Sequence, residues 1–332
     1  MTDSLQPIWL YLGTHDGLRR ATLQGDSITF DATCVRGNVI RDLSIHPRDP
    51  AKVLIGCGLR GWGLHRTTDG GMEAEALGFE DRWVWGVTRD PTDPATIYVG
   101  TEPPMLYRSN DAGVTFEPLS GIESVESRPR WTFFHPPFEA GHIHAVAIHP
   151  SRPSVIVAGV EHGGVLRSVD GGMTWQETRA GTDAHRIAFD PIDPDRVLLA
   201  AGSGLFTSSD AGLTWRAHEQ LAGYYLHTVT FAPTDPTKVL VYADRSSDPL
   251  HLSTDGGRTW NTVGEGLPAS RPADPLRFHP LDPTTIIYAG DGDSDQSQLF
   301  HSRDLGRSWT ALGDPTEKVW RLEVVPAEHT SV

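Results

Sequence analysis

Arg167-Ser-Val-Asp-Gly-Gly-Met-Thr-Trp175 decides the fold. The phrase returns as Arg108-Ser-Asn-Asp-Ala-Gly-Val-Thr-Phe116, Thr207-Ser-Ser-Asp-Ala-Gly-Leu-Thr-Trp215, Leu252-Ser-Thr-Asp-Gly-Gly-Arg-Thr-Trp260 and His301-Ser-Arg-Asp-Leu-Gly-Arg-Ser-Trp309. A degenerate copy, Arg66-Thr-Thr-Asp-Gly-Gly-Met-Glu73, lacks the aromatic. Each part has a physical task. The Asp accepts turn N–H groups, the Gly takes a positive φ, and Ser or Thr caps locally. The aromatic re-enters the core as the next strand begins. A second phrase precedes each box: an alternating strand, a Pro-x-Asp-Pro turn, then an apolar strand. LSIHPRDPAKVLIG (43–56), VAIHPSRPSVIVAG (146–159) and LRFHPLDPTTIIYAG (276–290) are examples. The histidines of His46-Pro, His149-Pro and His279-Pro belong to that turn and read as structural.

Working outward, each unit is strand, turn, strand, loop, strand, box, strand, which is one four-stranded propeller blade. Six units start near residues 41, 84, 143, 185, 226 and 275. The stretch 8–30 supplies strands of a further blade, and 319–326 supplies its first strand. Joining them hides the edges of an open array. The expectation is an all-β, seven-bladed β-propeller, a single domain over 1–332.

The S-x-D-x-G-x-T-W phrase resembles the Asp-box, or BNR, repeat of sialidase-like and glycosyl-hydrolase-like β-propellers, over nearly the whole chain. Proteins of this kind include sialidases, xyloglucan-cleaving glycoside hydrolases, sortilin-like receptors and photosystem assembly factors. The resemblance to sialidases implies an arginine triad, with Arg41, Arg60 and Arg245 as candidates, and a Tyr–Glu pair with Tyr224 or Tyr225. The F/Y-R-I-P motif that precedes the first box in sialidases is absent here.

Composition narrows the function. The chain has 332 residues, with Lys+Arg 28 against Asp+Glu 43 and a formal charge of −15. Nucleic-acid phosphates and anionic membrane surfaces would repel it. The 34 glycines and 25 prolines break helices too often for a helical bundle. Two cysteines, Cys34 and Cys57, make no disulfide scaffold. The N-terminal run lacks a basic flank and is too short for a signal peptide, and no stretch is long enough for a membrane span. The expected location is cytoplasmic.

Candidate site residues are those that differ between blades at the mouth of the channel. Six residues before the turn proline the units read Arg41, Trp85, His144, His185, His227 and Asp274, and the closing blade gives Trp320. Three histidines in consecutive blades point to a divalent transition metal, Zn, Mn or Fe. Each His is also in register with core residues of its strand, such as Val146 and Ile148, so packing between blades is the alternative. In the next loop Glu102 and Glu161 stand as a further ligand or as a general base. His162 is adjacent. Arg41 and Arg245 would orient a polar or anionic substrate, with Asp274 beside them. Trp85, Trp320, Trp131 and Arg60 would wall the pocket. The longest interval between boxes holds an aromatic insert at about 120–142, with Trp131, Phe133, Phe134 and Phe138, read as a lid or as a plug. The asparates Asp291, Asp293 and Asp295 read as a solvated loop.

The resulting expectation is a metal-dependent hydrolase or lyase acting on a small polar, anionic or glycan-like substrate. The alternatives are a non-catalytic propeller that binds a glycan, peptide or protein, and a metal-free sialidase-like glycoside hydrolase.

Overall fold

The computed structural model describes residues 6–133, 137, 140–244, 246, 248–269, 274–292 and 294–327. Its strands form seven four-stranded sheets, each built from strands adjacent in sequence except where the termini meet. The protein is the all-β, seven-bladed propeller that the repeat predicts. In blade 1, Ile8–Thr14 pairs antiparallel with Gly17–Gln24 on one side and Val319–Pro326 on the other. Ser27–Cys34 completes the sheet. Blades 2 to 7 begin at Ile40, Trp83, His142, Ala184, Tyr225 and Leu276.

The chain groups into two compact units, one of Met1–Ile55, His65–Ala76 and Thr230–Val332, the other of Gly56–Leu64 and Leu77–Val229. In the first unit, Ile8, Leu10 and Leu12 of blade 1 pack with Ile287, Leu299 and Leu312 of blade 7. A second core there joins Leu240, Tyr242 and Leu252 of blade 6 to Phe278, Ile286 and Tyr288 of blade 7. In the second unit, Tyr98 and Leu106 of blade 3 meet Ile143, Ile148 and Ile156 of blade 4. Val157 and Val165 of blade 4 meet Ile187, Leu199 and Phe206 of blade 5. Each fully buried Val, Leu, Ile or Phe here contributes about 1.5–3 kcal/mol before entropy is subtracted.

The repeated phrase folds as its residue types require. Ser168 Oγ donates to Asp170 Oδ1 at 2.8 Å and accepts the Gly172 N–H at 2.8 Å. Asp170 also accepts the Thr174 N–H at 2.9 Å and its hydroxyl at 2.6 Å. Those bonds, the Thr174 hydroxyl first, pull the Asp170 carboxyl down to about 2. Trp175 Nε1–H closes the turn on Gly172 O at 3.0 Å. The turn histidines are also architectural: His149 Nδ1 accepts the N–H groups of Ser151 and Arg152, and His279 Nδ1 those of Leu281 and Asp282. Asp90 and Asp190 do the same work in blades 3 and 5.

One feature was not legible in the repeat. The first strand of blade 4 slips register between Ile143 and Ala145, so His144 is an extra, unpaired residue. Blade 3 slips between Val84 and Gly86, at Trp85, and blade 5 between Ala184 and Arg186, at His185. A one-residue slip exchanges the faces of a strand. Beyond the bulge, Ile148 therefore still joins the blade 3–4 core, while Ala145 joins the blade 4–5 core. His144 occupies neither core position, contrary to the register read from Val146 and Ile148. Gly86 is needed beside this bulge, because a Cβ there would lie 2.7 Å from the His144 carbonyl oxygen.

Ser168→Ala leaves the buried Gly172 N–H without its acceptor. It is expected to lower unfolding stability by about 1–3 kcal/mol in denaturant titration. An unchanged midpoint would show that the box serine is dispensable.

Candidate active site

The candidate site lies in the second unit, where the starts of the first strands of blades 3 to 6 carry Trp83 and Trp85, His142 and His144, Asp183 and His185, and Tyr225 and His227. The residue two before each predicted position thus belongs to the site, and Trp83, His142 and Asp183 were missed. Alternation along a strand was the available signal, since residues i and i+2 share a face. Glu102 and Glu161 end the strands Ile97–Glu102 and Ile156–Glu161 rather than standing in loops, and they pair with Trp83 and His142.

These groups form one connected network. Trp85 Nε1–H donates to Glu102 Oε2 at 3.1 Å. His142 Nδ1 lies 3.3 Å from the same oxygen, and His142 Nε2 lies 2.8 Å from Glu161 Oε2. His144 Nδ1 reaches Glu161 Oε2 at 3.1 Å. His185 Nε2 sits 3.4 Å from Asp183 Oδ2 and 3.9 Å from Glu161 Oε1. Its Nδ1 is held by Leu226 O at 2.6 Å. The Tyr225 hydroxyl donates to Asp183 Oδ2 at 2.7 Å. Trp85 stacks on His142 with ring centres 3.7 Å apart. His142, His185 and Glu102 are buried, while His144, Glu161, Asp183, Tyr225 and His227 are partly open.

Burial and charge pull against each other here, and charge wins. Burial alone would raise Glu161, but the His142 ring outweighs it, and the carboxyl lies well below its usual range. Burial would also raise Asp183, yet the His185 hydrogen bond brings it down to about 2. Burial would lower His185; Asp183 and Glu161 instead lift it to about 9. His142 is raised in the same way, Glu161 acting most strongly against its burial. The same contacts drive both carboxyls toward the ionised form and both rings toward imidazolium.

From this cluster aromatic rings run outward. Trp83 meets Trp85 edge-on at 6.4 Å and Trp62 at 5.6 Å. Trp62 is 48% exposed. Phe133 of the insert stacks on His162 at 3.9 Å. Trp131, by contrast, is buried in the blade 3–4 core with Ile122 and Val125, and its Nε1–H donates to Ser127 Oγ at 2.9 Å. This part of the insert plugs the blade top. Phe134 and Phe138 lie outside the described residues.

The remaining expected site residues lie elsewhere. Arg60 is exposed on its loop. In the first unit, Arg41 packs over the Trp320 ring at 4.8 Å. Asp274 pairs with Arg277 at 2.6 Å and with Arg321, both of which also bind Glu323. That network is a buried, internally neutralised strut. Arg245 and Asp293 lie outside the described residues, and Asp291 is paired with Lys318 at 3.1 Å.

The three-histidine metal centre does not take shape. His185 and His227 stack face to face, with centroids 4.5 Å apart and planes 24° apart, so their nitrogens do not converge. The His185 Nδ1 is already held by a carbonyl. Among the described residues, ligand atoms gather within 4.8 Å in two other groups: His142, His144 and Glu161, and Glu161, His162 and Asp183. The two rings of the first group are engaged with the Glu161 carboxylate.

Comparison with known proteins agrees with the repeat. A family model described as Sortilin-Vps10 (sortilin, neurotensin receptor 3) matches residues 203–330. A xyloglucanase from Paenibacillus sp is 26% identical over 223 residues, covering 53% of this chain and 21% of its own. An oligoxyloglucan-reducing end-specific xyloglucanase from Emericella nidulans is 26% identical over 216 residues, covering 57% and 26%. The chain therefore spans about a quarter of the length of these curated relatives. Among solved structures, a putative 6-phosphogluconolactonase from Bacteroides fragilis superposes with TM-score 0.67 at 11% identity, covering 97% of this chain and 98% of that one. YCF48 from Cyanidioschyzon merolae gives 0.56 at 17%, covering 85% and 87%. These likenesses show the fold.

The class is a β-propeller of BNR-type repeats. The expectation of a metal-dependent hydrolase or lyase is overturned, because the curated relatives are xyloglucanases, which are glycoside hydrolases that work without a metal.

The charge arrangement predicts a pH signature. His185 is lifted from 6.5 to about 9, so its stabilisation is complete below pH 6.5 and is lost as pH rises through 9. Asp183 is lowered from 3.8 to about 2, so its stabilisation is present above 3.8 and lost as pH falls through 2. Denaturant stability should fall by about 1–3 kcal/mol between the two His185 limits, and His185→Gln should reduce that fall, leaving the share that His142 contributes. A flat wild-type profile there would contradict the arrangement.

Proposed function

We propose that the chain is a metal-free glycoside hydrolase acting on a neutral, xyloglucan-type glucan at the Glu161–Asp183 cluster. One observation carries this reading: two ionised carboxylates from neighbouring blades meet a buried imidazolium, His185, at 3.9 and 3.4 Å. Glycosidic cleavage needs a base for water, a proton for the leaving oxygen and negative charge near the oxocarbenium-like centre. Glu161 is the base and takes a proton from the attacking water. His185, buried behind the two carboxylates, keeps both ionised, and the leaving oxygen takes its proton from solvent. Asp183, fixed by Tyr225, stabilises the positive charge that develops on the sugar ring. The hydroxide left from water joins the anomeric carbon, so one water is consumed for each bond cleaved. The Trp62–Trp83 faces suit the apolar faces of sugar rings. The xyloglucanase relatives supply the substrate class.

Glu102 and Glu161 do not form the acid–base pair, because the His142 ring stands between them. A glycosidic bond cannot also occupy that space.

The test is hydrolysis of xyloglucan oligosaccharides, followed by release of reducing ends. Glu161→Gln is expected to lower kcat on the order of 10²–10⁴-fold with the fold intact. A chelator should leave the wild-type rate unchanged. The rate should fall on the acid side as Glu161 takes a proton and on the alkaline side near pH 9 as His185 loses one. Wild-type protein that cleaves no such glycan, or a Glu161→Gln variant of full activity, would overturn the proposal.

A further inference from the structure

We propose that Glu102 is a positioning residue: acting through the His142 ring, it holds the Glu161 carboxylate in place and ready to act as the base. This rests on the reading of Glu161 given above. Glu102 is buried, with 6% of its surface exposed. Its Oε2 accepts the Trp85 indole N–H at 3.1 Å and lies 3.3 Å from His142 Nδ1. The other ring nitrogen of His142 is 2.8 Å from Glu161 Oε2. The three groups form a carboxylate–imidazole–carboxylate chain that runs from the interior to the open carboxylate. Trp85 fixes it twice, by the hydrogen bond to Glu102 and by stacking on His142 with planes 15° apart.

The chain has a direction. A buried carboxylate on Nδ1 commits that nitrogen to carrying a proton and stabilises positive charge on the ring. The positive ring then orients Glu161 and favours its ionised form. The other titratable groups facing His142 and Glu161 are His144, at 3.1 Å from Glu161 Oε2, His185, at 3.9 Å from Oε1, and His162 and Asp183, each with an atom within 4.8 Å of the Glu161 carboxylate. They lie on blades 4 and 5, while Glu102 comes from blade 3. Phe133 covers His142 from the insert side at 6.2 Å and brings no charge.

Glu102→Gln separates charge from shape. The amide oxygen still accepts from Trp85 and still lies beside Nδ1, while the amide cannot ionise. Two readouts follow. In ¹⁵N-histidine NMR, the His142 titration midpoint should fall by a pH unit or more in the variant. In the pH–rate profile for xyloglucan oligosaccharides, the acid limb should move to higher pH and kcat should drop about tenfold to a hundredfold, with KM changed less than about twofold. Glu102→Asp, which keeps the charge, should recover most of both. An unmoved His142 titration in folded Glu102→Gln protein overturns the proposal, as does an unmoved acid limb. If Glu102→Gln does not fold, His142→Gln reads the same acid limb, with the same upward shift expected and an unshifted limb again contradicting it. If the wild type cleaves no glycan, the catalytic reading fails by itself, and the NMR titration still decides whether Glu102 governs His142.

Discussion

An extra residue in the first strand brings Trp85, His144 and His185 to the site. A propeller blade spends both faces of its strands on neighbouring blades, so a regular strand has no place for a histidine without removing a core residue. The bulges at Trp85, His144 and His185 resolve this conflict. Each adds one side chain to its strand, and the alternation resumes afterwards in the opposite phase. Because three consecutive blades carry the bulge, three added side chains arrive in one neighbourhood. The repeated boxes and turns provide the frame; the bulges add Trp85, His144 and His185 beside the carboxylates that end the second strands.

Charge balance then makes the neighbourhood stable enough to exist. Burying a lone carboxylate or a lone imidazolium is expensive, and pairing them recovers much of the cost. Glu161 with His142, and Asp183 with His185, are such pairs. Their reciprocal displacements, carboxyls down and imidazoles up, come from the same contacts. A pair held in this state is a base and an acid already set apart in proton affinity, which is what a hydrolytic site requires. The strut of Asp274, Arg277, Arg321 and Glu323 uses the same physics to another end. There each carboxylate is paired with arginine, whereas Glu161 and Asp183 are paired with imidazoles.

The architecture was nearly all legible in the sequence, because each blade repeats its own turn chemistry. Ser168, Asp170 and Gly172 fold as their side chains demand, and the starting residues of six blades fall within a residue or two of the repeat. The site was legible in part. Aligning blades on the turn proline found Trp85, His144, His185 and His227, and the following loop gave Glu102 and Glu161. It missed His142 and Asp183, which differ from blade to blade and carry no motif. It also took three histidines at one repeat position as a sign of convergence. Equivalent positions share a backbone environment but not a target: His185 turns its Nδ1 to Leu226 O and stacks on His227. Side-chain direction at a bulge is a three-dimensional quantity, and repeat alignment does not contain it.

The central claim is that a glucan chain lies across Trp83 with its scissile bond at Glu161, Asp183 and His185. A crystal structure of the Glu161→Gln variant soaked with a xyloglucan oligosaccharide tests this most directly. The expected result is a scissile bond beside Asp183 and the substituted side chain, with a sugar ring against Trp83 or Trp62. An oligosaccharide bound at another face, or none bound at saturating concentration, would contradict it.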